Sequence, residues 1–239
     1  MFDKIIHKIK EVVFMKVTWL GQAGLLFEKE DIKIIVDPYL SNSCFQLNPA
    51  SDRRVPVDEK YLEMHPDVLV LTHDHLDHTD PETLEYYLGK QQNIVVLASK
   101  NAWNHVREFK GNHNYVSFNR HTIWTHEGIR FTAVKAEHSD DYAIGVIIED
   151  EGKKYYVTGD TLYNTDILED LSKDIDVVFL PVNGKGNNMN YVDAAEFAAA
   201  IGAKKVVPLH FGLFDDLDPE KDFICENKVV PGFFKEIKL

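Results

Sequence analysis

A short run of histidines and aspartates contains the residue types that bind metal ions. Residues 72–78 read THDHLDH, which gives the spacing H-x-H-x-D-H. Neutral imidazole and carboxylate suit zinc, manganese and iron, and a tight loop can direct alternate side chains at two neighbouring ions. The spacing therefore predicts a binuclear metal site. A surface loop that is merely rich in histidine is the alternative explanation.

Three further donors occupy the same position relative to the apolar segments of the chain. The motif follows Val68–Leu71, and each of the other donors also lies just beyond a predicted strand. In α/β proteins, ligands bind in the crevice outside the carboxyl ends of strands, so these side chains are expected to converge there. The three donors are His138 after Arg130–Val134, Asp160 after Lys154–Thr158, and His210 after Val206–Leu209.

The elements that must position these residues are short β-strands with helices between them. Several segments are nearly continuous Val, Ile and Leu, as expected of strands covered on both faces. Asp80 followed by Pro81 predicts the start of one helix, and the Ala-rich segment Tyr191–Ile201 predicts another that ends at Gly202. The fold class is thus α/β, with two sheets and helices outside them. The remaining predicted strands are Lys16–Trp19, Leu25–Phe27, Ile32–Val36, Ile94–Ala98, Ala143–Ile148 and Val177–Leu180.

The first residues of the chain form a separate pattern. Apolar residues recur at helical spacing through about residues 2–14, with charges between them. This pattern predicts an amphipathic helix that docks on its own domain, or on a neighbouring subunit of a homo-oligomer. No repeat, low-complexity tract or linker interrupts the sequence, so a single domain over residues 1–239 is the simplest organisation.

Composition and charge exclude several classes of protein. The 239 residues are 44% hydrophobic, which is enough for a sizeable core and excludes an intrinsically disordered chain. No apolar run approaches the roughly eighteen residues of a membrane span, and charges interrupt residues 1–14, so we expect a cytoplasmic protein with neither signal peptide nor membrane contact. A net charge of −13 without a basic cluster argues against a nucleic-acid partner. Cys44 and Cys225 are far apart and are predicted to be reduced thiols.

The order of these motifs resembles the metallo-β-lactamase superfamily. The resemblance covers nearly the whole chain after Met15, and its branch-level features resemble the L-ascorbate-6-phosphate lactonase-like proteins. It implies a four-layer αββα sandwich with the metal site at one edge. Because this chain is shorter than those sugar-phosphate lactonases, the branch does not transfer its substrate. The segments concerned are Asp37-Pro38, 73–78, 159–161 and 208–210 for the superfamily, and 19–24, 36–41 and 181–184 for the branch.

The resemblance also implies a role for each donor. One ion would be bound by His73, His75 and His138, although the residues beside His138 offer other donors. Asp160 would bridge this ion to a second one. Asp37 would be a buried carboxylate that accepts an imidazole N–H, with a turn-forming Asp before proline as the alternative. The ligands of the second ion would be Asp77, His78 and His210.

These features predict a metal-dependent hydrolase. Two divalent ions, with zinc or manganese ahead of iron, would share a water, lower its pKa towards about 7 and supply a hydroxide that attacks a carbonyl carbon or phosphorus. Asp77 or Asp160 would take the released proton in catalysis. The expected substrate is a small molecule with a lactone or other ester bond, such as an ester of a sugar phosphate, and a phosphodiester is the alternative. His75, where the diiron oxidoreductases have Glu, disfavours a redox enzyme, and the complete donor set disfavours a non-catalytic metal-binding module.

Cationic and amide side chains in two loops suggest an anionic substrate. Asn183 and Lys185 stand in a glycine-containing loop at residues 183–190, which resembles a substrate loop of the lactonase-like branch. A solvated loop that leads into the helix at Tyr191 explains the same residues equally well. Arg53 and Arg54 occupy a Pro-flanked loop and are further candidates for contact with an anionic group.

Overall fold

The computed structural model describes residues 14–171 and 173–239. The helix predicted at about residues 2–14 therefore lies outside the described residues, except for Phe14. Within the described residues, no helix is long and apolar enough to cross a membrane.

The first sheet is built from the N-terminal half of the described chain. Its six strands lie in sequence order, with the first two pairings antiparallel and the other three parallel. The strands are β1 (Lys16–Gly21), β2 (Gly24–Lys29), β3 (Ile32–Val36), β4 (Val68–Leu71), β5 (Val95–Ala98) and β6 (Asn114–Ser117).

The second sheet contains the remaining six strands, again in sequence order. Its first three pairings are antiparallel and the last two are parallel. The strands are β7 (Ile123–His126), β8 (Ile129–Lys135), β9 (Ile144–Asp150), β10 (Lys153–Val157), β11 (Val177–Pro181) and β12 (Lys205–Leu209).

Helices cover the outer face of each sheet. The α-helices of residues 14–171 and 173–239 are α1 (Ser43–Leu47), α2 (Pro81–Leu84, continued by a π-helical turn over Glu85–Gly89), α3 (Lys100–Val106), α4 (Tyr191–Ile201) and α5 (Pro219–Asp222). Three 3₁₀ turns lie at Pro49–Ser51, Glu59–Tyr61 and Thr165–Glu169.

Alternation along β2 shows how the layers form. Leu25 and Phe27 join the core between the two sheets, whereas Leu26 points to the other face and joins a second core with residues of α2 and α3. On the far side of the molecule, Phe197 of α4 packs against Tyr156 of β10. The order of layers is therefore helix, sheet, sheet, helix, which confirms the predicted αββα sandwich.

The predicted helix boundaries have clear local causes. The Asp80 side chain accepts hydrogen bonds from two backbone N–H groups in the first turn of α2. Asn190 caps α4 in the same way, and Gly202 ends that helix with a positive φ of 63°. Both predicted helices are thus confirmed, although α2 is a single α-helical turn.

Strands β6 and β7 and helices α1, α3 and α5 were not predicted from the sequence. Strands β6 and β7 are half exposed and contain polar residues, so they lack the continuous apolar run that marks the buried strands. Helix α3 is only seven residues long, and its N-terminal Ser99 makes no side-chain capping bond. Short and partly exposed elements such as these depend on their tertiary contacts more than on local pattern.

Candidate metal centre

The predicted donors meet at the carboxyl ends of strands from both sheets. Strands β3 and β4 lead into Asp37 and the 72–78 run, while β8, β10 and β12 lead towards the donors of the second sheet. The turn after β4 is tight, because the His75 carbonyl accepts the N–H groups of both His78 and Thr79. This turn directs the alternate side chains of the run into the crevice between the sheets. The second sheet contributes His138, Asp160 and His210.

One group of donors consists of three histidines. The candidate ligand atoms of His73, His75 and His138 all lie within 4.8 Å of one another. Nδ1 of His75 is 3.2 Å from Nε2 of His138, so these two nitrogens face each other. Three imidazoles at this spacing match the donor set of a catalytic zinc site.

Asp140 was an alternative donor beside His138, and the structure uses it differently. Its carboxylate accepts hydrogen bonds from the backbone N–H of Asp74 and from the side chain of Asn101. It therefore fixes the loop of the 72–78 run, while His138 and the Ser139 hydroxyl are the side chains of this segment that face His75.

A second group of donors lies beside the first. The candidate ligand atoms of Asp77, His78 and His210 are also within 4.8 Å of one another. Asp160 lies between two of them, because its Oδ1 is 3.3 Å from Nε2 of His78 and its Oδ2 is 3.2 Å from Nε2 of His210. Both oxygens of Asp160 therefore face members of the second donor group, where a carboxylate is a suitable metal ligand.

Asp37 forms a third close group with His73 and His78, but its oxygens are already used. It accepts hydrogen bonds from the backbone N–H and the hydroxyl of Thr72, at 2.8 and 2.5 Å, and it lies 2.9 Å from Nδ1 of His78. We therefore regard Asp37 as a group that orients the histidines rather than as a ligand.

Two buried imidazole nitrogens test whether this site fits a metal ion. Nε2 of His73 and Nε2 of His78 are buried and have no hydrogen-bond partner among the described residues. Their other nitrogens face Thr72 and Asp37, respectively. Buried nitrogens are rarely left unsatisfied, and a neutral imidazole oriented through Nδ1 presents a free lone pair at Nε2. The residues present therefore fit a metal ion.

The electrostatics of the cluster favour cations. Burial raises the pKa of Asp160, but the charges of His210 and His78 outweigh it and hold this pKa well below its usual range. Burial lowers the pKa of His210, yet Asp160 and Asp77 together raise it to about 10. Burial also lowers the pKa of His73 and His138, so both are neutral near pH 7. Asp77 and Asp160 thus remain ionised in a buried place, where protonated His78 and His210 balance them and bound cations would take over that role.

Sequence reasoning missed Gln22 as a member of this site. Its side-chain N–H₂ donates to Oδ2 of Asp77 at 3.0 Å and lies 3.2 Å from Nδ1 of His210. The backbone carbonyl of Gln22 accepts a hydrogen bond from the backbone N–H of His210, and the φ angle of Gln22 is 51°. The one signal available in the sequence was its place in the 19–24 segment. In the structure, its positive φ is a second signal, because a buried non-glycine residue with positive φ is uncommon and often lies at a functional site.

A cavity of about 290 Å³ opens beside the second donor group. Asp77, His210 and Gln22 line it together with the predicted substrate residues Asn183 and Lys185. Lys185 is the one Lys or Arg side chain among the residues that line this cavity. The centre thus has an adjoining space large enough for a small molecule.

Arg53 and Arg54 do not line this cavity, which corrects their predicted role. The Arg53 guanidinium donates to the backbone carbonyls of Tyr39 and Val55, and Arg54 pairs with Asp216. A charge in a loop shows only that the loop carries a cation, and here both guanidinium groups hold loops together. Both guanidinium groups therefore contact other parts of the chain rather than this cavity.

Comparisons with known proteins agree with this fold. The family model for the beta-lactamase superfamily domain matches residues 33–211. A UPF0173 metal-dependent hydrolase from Exiguobacterium sp. is 29% identical over 230 residues, which cover 89% of this chain and 93% of that protein. Another from Staphylococcus aureus is 30% identical over 228 residues, covering 87% and 91%. The structure of the metallo-beta-lactamase fold protein YhfI from Bacillus subtilis matches with a TM-score of 0.69 at 20% identity, covering 94% of this chain and 99% of that one.

Fold and site together define a metallo-β-lactamase fold protein with a His/Asp cluster that could hold metal. The chain belongs to the beta-lactamase superfamily, because the family model spans most of its length. The predicted superfamily and fold class are confirmed. The narrower resemblance to the L-ascorbate-6-phosphate lactonase-like branch stays a prediction.

Proposed function

We propose that this protein is a binuclear metal-dependent hydrolase that cleaves a lactone or another ester of a small molecule. One observation carries the proposal: two groups of three donors lie side by side, and Asp160 is directed at the second group with both carboxylate oxygens. The relatives from Exiguobacterium and Staphylococcus are described as metal-dependent hydrolases, which supports the same class of activity.

Each donor has a defined task in this proposal. His73, His75 and His138 would hold one ion, and Asp160 would connect it to the ion held by the second group. Bound there, divalent ions such as zinc or manganese would lower the pKa of water towards about 7 and polarise the substrate oxygen. The ligands of the second ion would be Asp77, His78 and His210.

The chain itself positions the substrate and receives the proton. The 290 Å³ cavity beside His210 and Asp77 would receive the substrate, with Lys185 close to an anionic group. Asp77 is the better proton acceptor of the two predicted carboxylates, because it is the more exposed and lines the cavity. Its side chain is 19% exposed, against 6% for Asp160. Proton transfer requires such direct access to the reacting group.

A substrate panel with a metal control tests this proposal. Purified protein loaded with zinc or manganese is assayed against a lactone, a simple ester and a phosphodiester, before and after treatment with a chelator. We expect lactone or ester turnover that disappears with the chelator and returns when the metal is restored. A preference for the phosphodiester would select the alternative substrate class.

The matched histidine control separates metal binding from general damage. His75→Ala is expected to abolish turnover, whereas His65→Ala is expected to leave it unchanged, because His65 is exposed and contacts only the Gln92 carbonyl among the described residues. Turnover that survives both the chelator and His75→Ala would overturn the proposal.

A further inference from the structure

Two carboxamide side chains of one loop contact ligands of the second donor group. The loop spans residues 183–190, between β11 and α4. The side-chain nitrogen of Asn183 lies 2.9 Å from Nδ1 of His210, and that of Asn188 lies 2.8 Å from Oδ2 of Asp160. Their carboxamide oxygens are buried and have no hydrogen-bond partner in the described part of the chain. In both side chains, therefore, the nitrogen contacts a candidate metal ligand while the oxygen has no partner among the described residues.

The orientation of His210 determines what Asn183 must do. Nε2 of His210 faces Asp77 and Asp160, so this nitrogen is the one directed at the donor group. An imidazole that binds a metal through Nε2 has its proton on Nδ1 and needs a hydrogen-bond acceptor there. The two groups now nearest Nδ1 are the carboxamide nitrogens of Asn183 and Gln22, and both are donors.

Asn183 can supply this acceptor more easily than Gln22. The Gln22 nitrogen also donates to Asp77, so turning that carboxamide would break an existing hydrogen bond. Turning Asn183 by half a rotation brings its partnerless oxygen to Nδ1 of His210 and satisfies both atoms. The positions of N and O in a carboxamide are assigned from such hydrogen-bond networks.

Asn188 must donate a hydrogen bond, whereas Asn183 must accept one. An ionised carboxylate only accepts hydrogen bonds, so the N–H₂ group of Asn188 is the part that holds Asp160. Asn188 is 4% exposed, and its contact is made to the same oxygen that faces His210. Losing this donor would free the carboxylate to turn away from the second donor group.

We propose that Asn183 and Asn188 are positioning residues for the second ion, Asn183 as an acceptor from His210 and Asn188 as a donor to Asp160. This inference rests on the proposed binuclear centre. It separates Asn183 from its predicted role in substrate binding, and it makes the loop part of the metal site. The first ion would be affected less, because its three histidine ligands, His73, His75 and His138, stay in place and only Asp160 is shared with the second ion.

The same substitution at the two positions distinguishes these roles. Asn183→Asp keeps an acceptor and is expected to retain the affinity for the second zinc ion. Asn188→Asp removes the donor and is expected to lower that affinity by about ten- to hundredfold. Asn183→Leu removes the acceptor and should show the same loss. Affinities for the first and second ions are measured on metal-free protein by competition with a chromophoric chelator, without any assay of activity.

A neighbouring asparagine provides the control. Asn187 is exposed, and its contact with His138 is made through the backbone carbonyl, so Asn187→Asp should leave both zinc affinities unchanged. Equal second-ion affinities in all variants, or equal losses in Asn183→Asp and Asn188→Asp, would overturn the assignment while leaving the hydrolase proposal standing. Wild-type protein that binds a single ion would overturn the binuclear proposal and this assignment together.

Discussion

The Asp37 carboxylate lies 2.9 Å from Nδ1 of His78, and both side chains are completely buried. Through the Thr72 hydroxyl, the same carboxylate also reaches His73, whose Nδ1 is 3.1 Å from that oxygen. One acidic group thus orients two imidazoles that belong to different donor groups. A hydrogen-bond network that begins at the end of β3 therefore orients one histidine of each donor group.

Asp37→Asn should weaken metal binding without removing a ligand. The carboxamide N–H₂ cannot accept the His78 proton, so both imidazoles lose orientation, and affinity should fall by about ten- to hundredfold. Competition titrations with a chelator measure the loss. Asp67→Asn serves as the control, because Asp67 lies before β4 at the opposite end and accepts from the Lys33 backbone. Equal affinities of wild type and Asp37→Asn would contradict the orienting role.

Asp160→Asn should separate catalysis from folding. The substitution keeps the shape of the side chain but removes the charge that would lie between two cations, which then repel each other with less compensation. We expect turnover to fall by orders of magnitude, while the circular dichroism spectrum stays close to that of the wild type. Asp141→Asn, at an exposed position, should behave as wild type in both measurements. An active Asp160→Asn variant would remove the bridge from the mechanism.

Lys185→Ala should affect anionic substrates selectively. A lost hydrogen bond to a charged group costs roughly 1.5–3 kcal/mol, which corresponds to about a ten- to hundredfold loss in kcat/KM. The loss should appear mainly in KM, because the contact holds substrate in both ground and transition states.

Substrate pairs provide the contrast for this experiment. A neutral analogue should be hydrolysed almost equally by wild type and Lys185→Ala, and Arg54→Ala should leave both substrates unaffected, since Arg54 pairs with Asp216. Equal losses for charged and neutral substrates would mean that Lys185 maintains the structure of its loop instead.

Asp170 should make stability depend on pH at the strand end that leads to His138. The hydrogen bond from Arg120 is the main cause that lowers the pKa of Asp170 from 3.8 to about 2, and the Lys135 backbone N–H adds to it. A carboxyl pKa that is depressed by folding stabilises the protein above the unfolded value near 4, and this contribution is lost as pH falls towards 2.

The corresponding variant is Asp170→Asn. Because the Arg120 side chain is 44% exposed, solvent screening reduces the effect, and we expect a loss of roughly 1–2 kcal/mol at pH 7 that vanishes near pH 2. Urea unfolding across this pH range measures the difference from wild type. Asp166→Asn, at a 63% exposed position, should show little change. A difference that is independent of pH would contradict the ion-pair explanation.

Strand ends explain why much of the fold and donor cluster could be predicted from sequence. His73 and His210 each follow a buried apolar strand, and parallel strands bring their carboxyl ends to one edge. The positions of Gln22 and Asn188 could not be derived in this way, because their roles depend on contacts with Asp77 and Asp160 that are distant in sequence. Local pattern does not contain such tertiary contacts.

The charged loop shows the other limit of sequence reasoning. Arg53 has the residue type expected of an anion-binding group, but its guanidinium is largely buried against backbone carbonyls of its own region. The sequence shows that Arg53 is charged, but it does not show which groups its guanidinium faces. Direction depends on which polar groups remain unsatisfied after the chain has packed.

The metal content of the purified protein shows whether the two donor groups hold two ions. Elemental analysis of wild-type protein under metal-replete conditions is expected to find close to two transition-metal ions per chain. His73→Ala should carry fewer, because it removes a buried donor that no neighbouring described side chain replaces. Wild-type protein that contains no transition metal after loading, while remaining folded, would contradict the account.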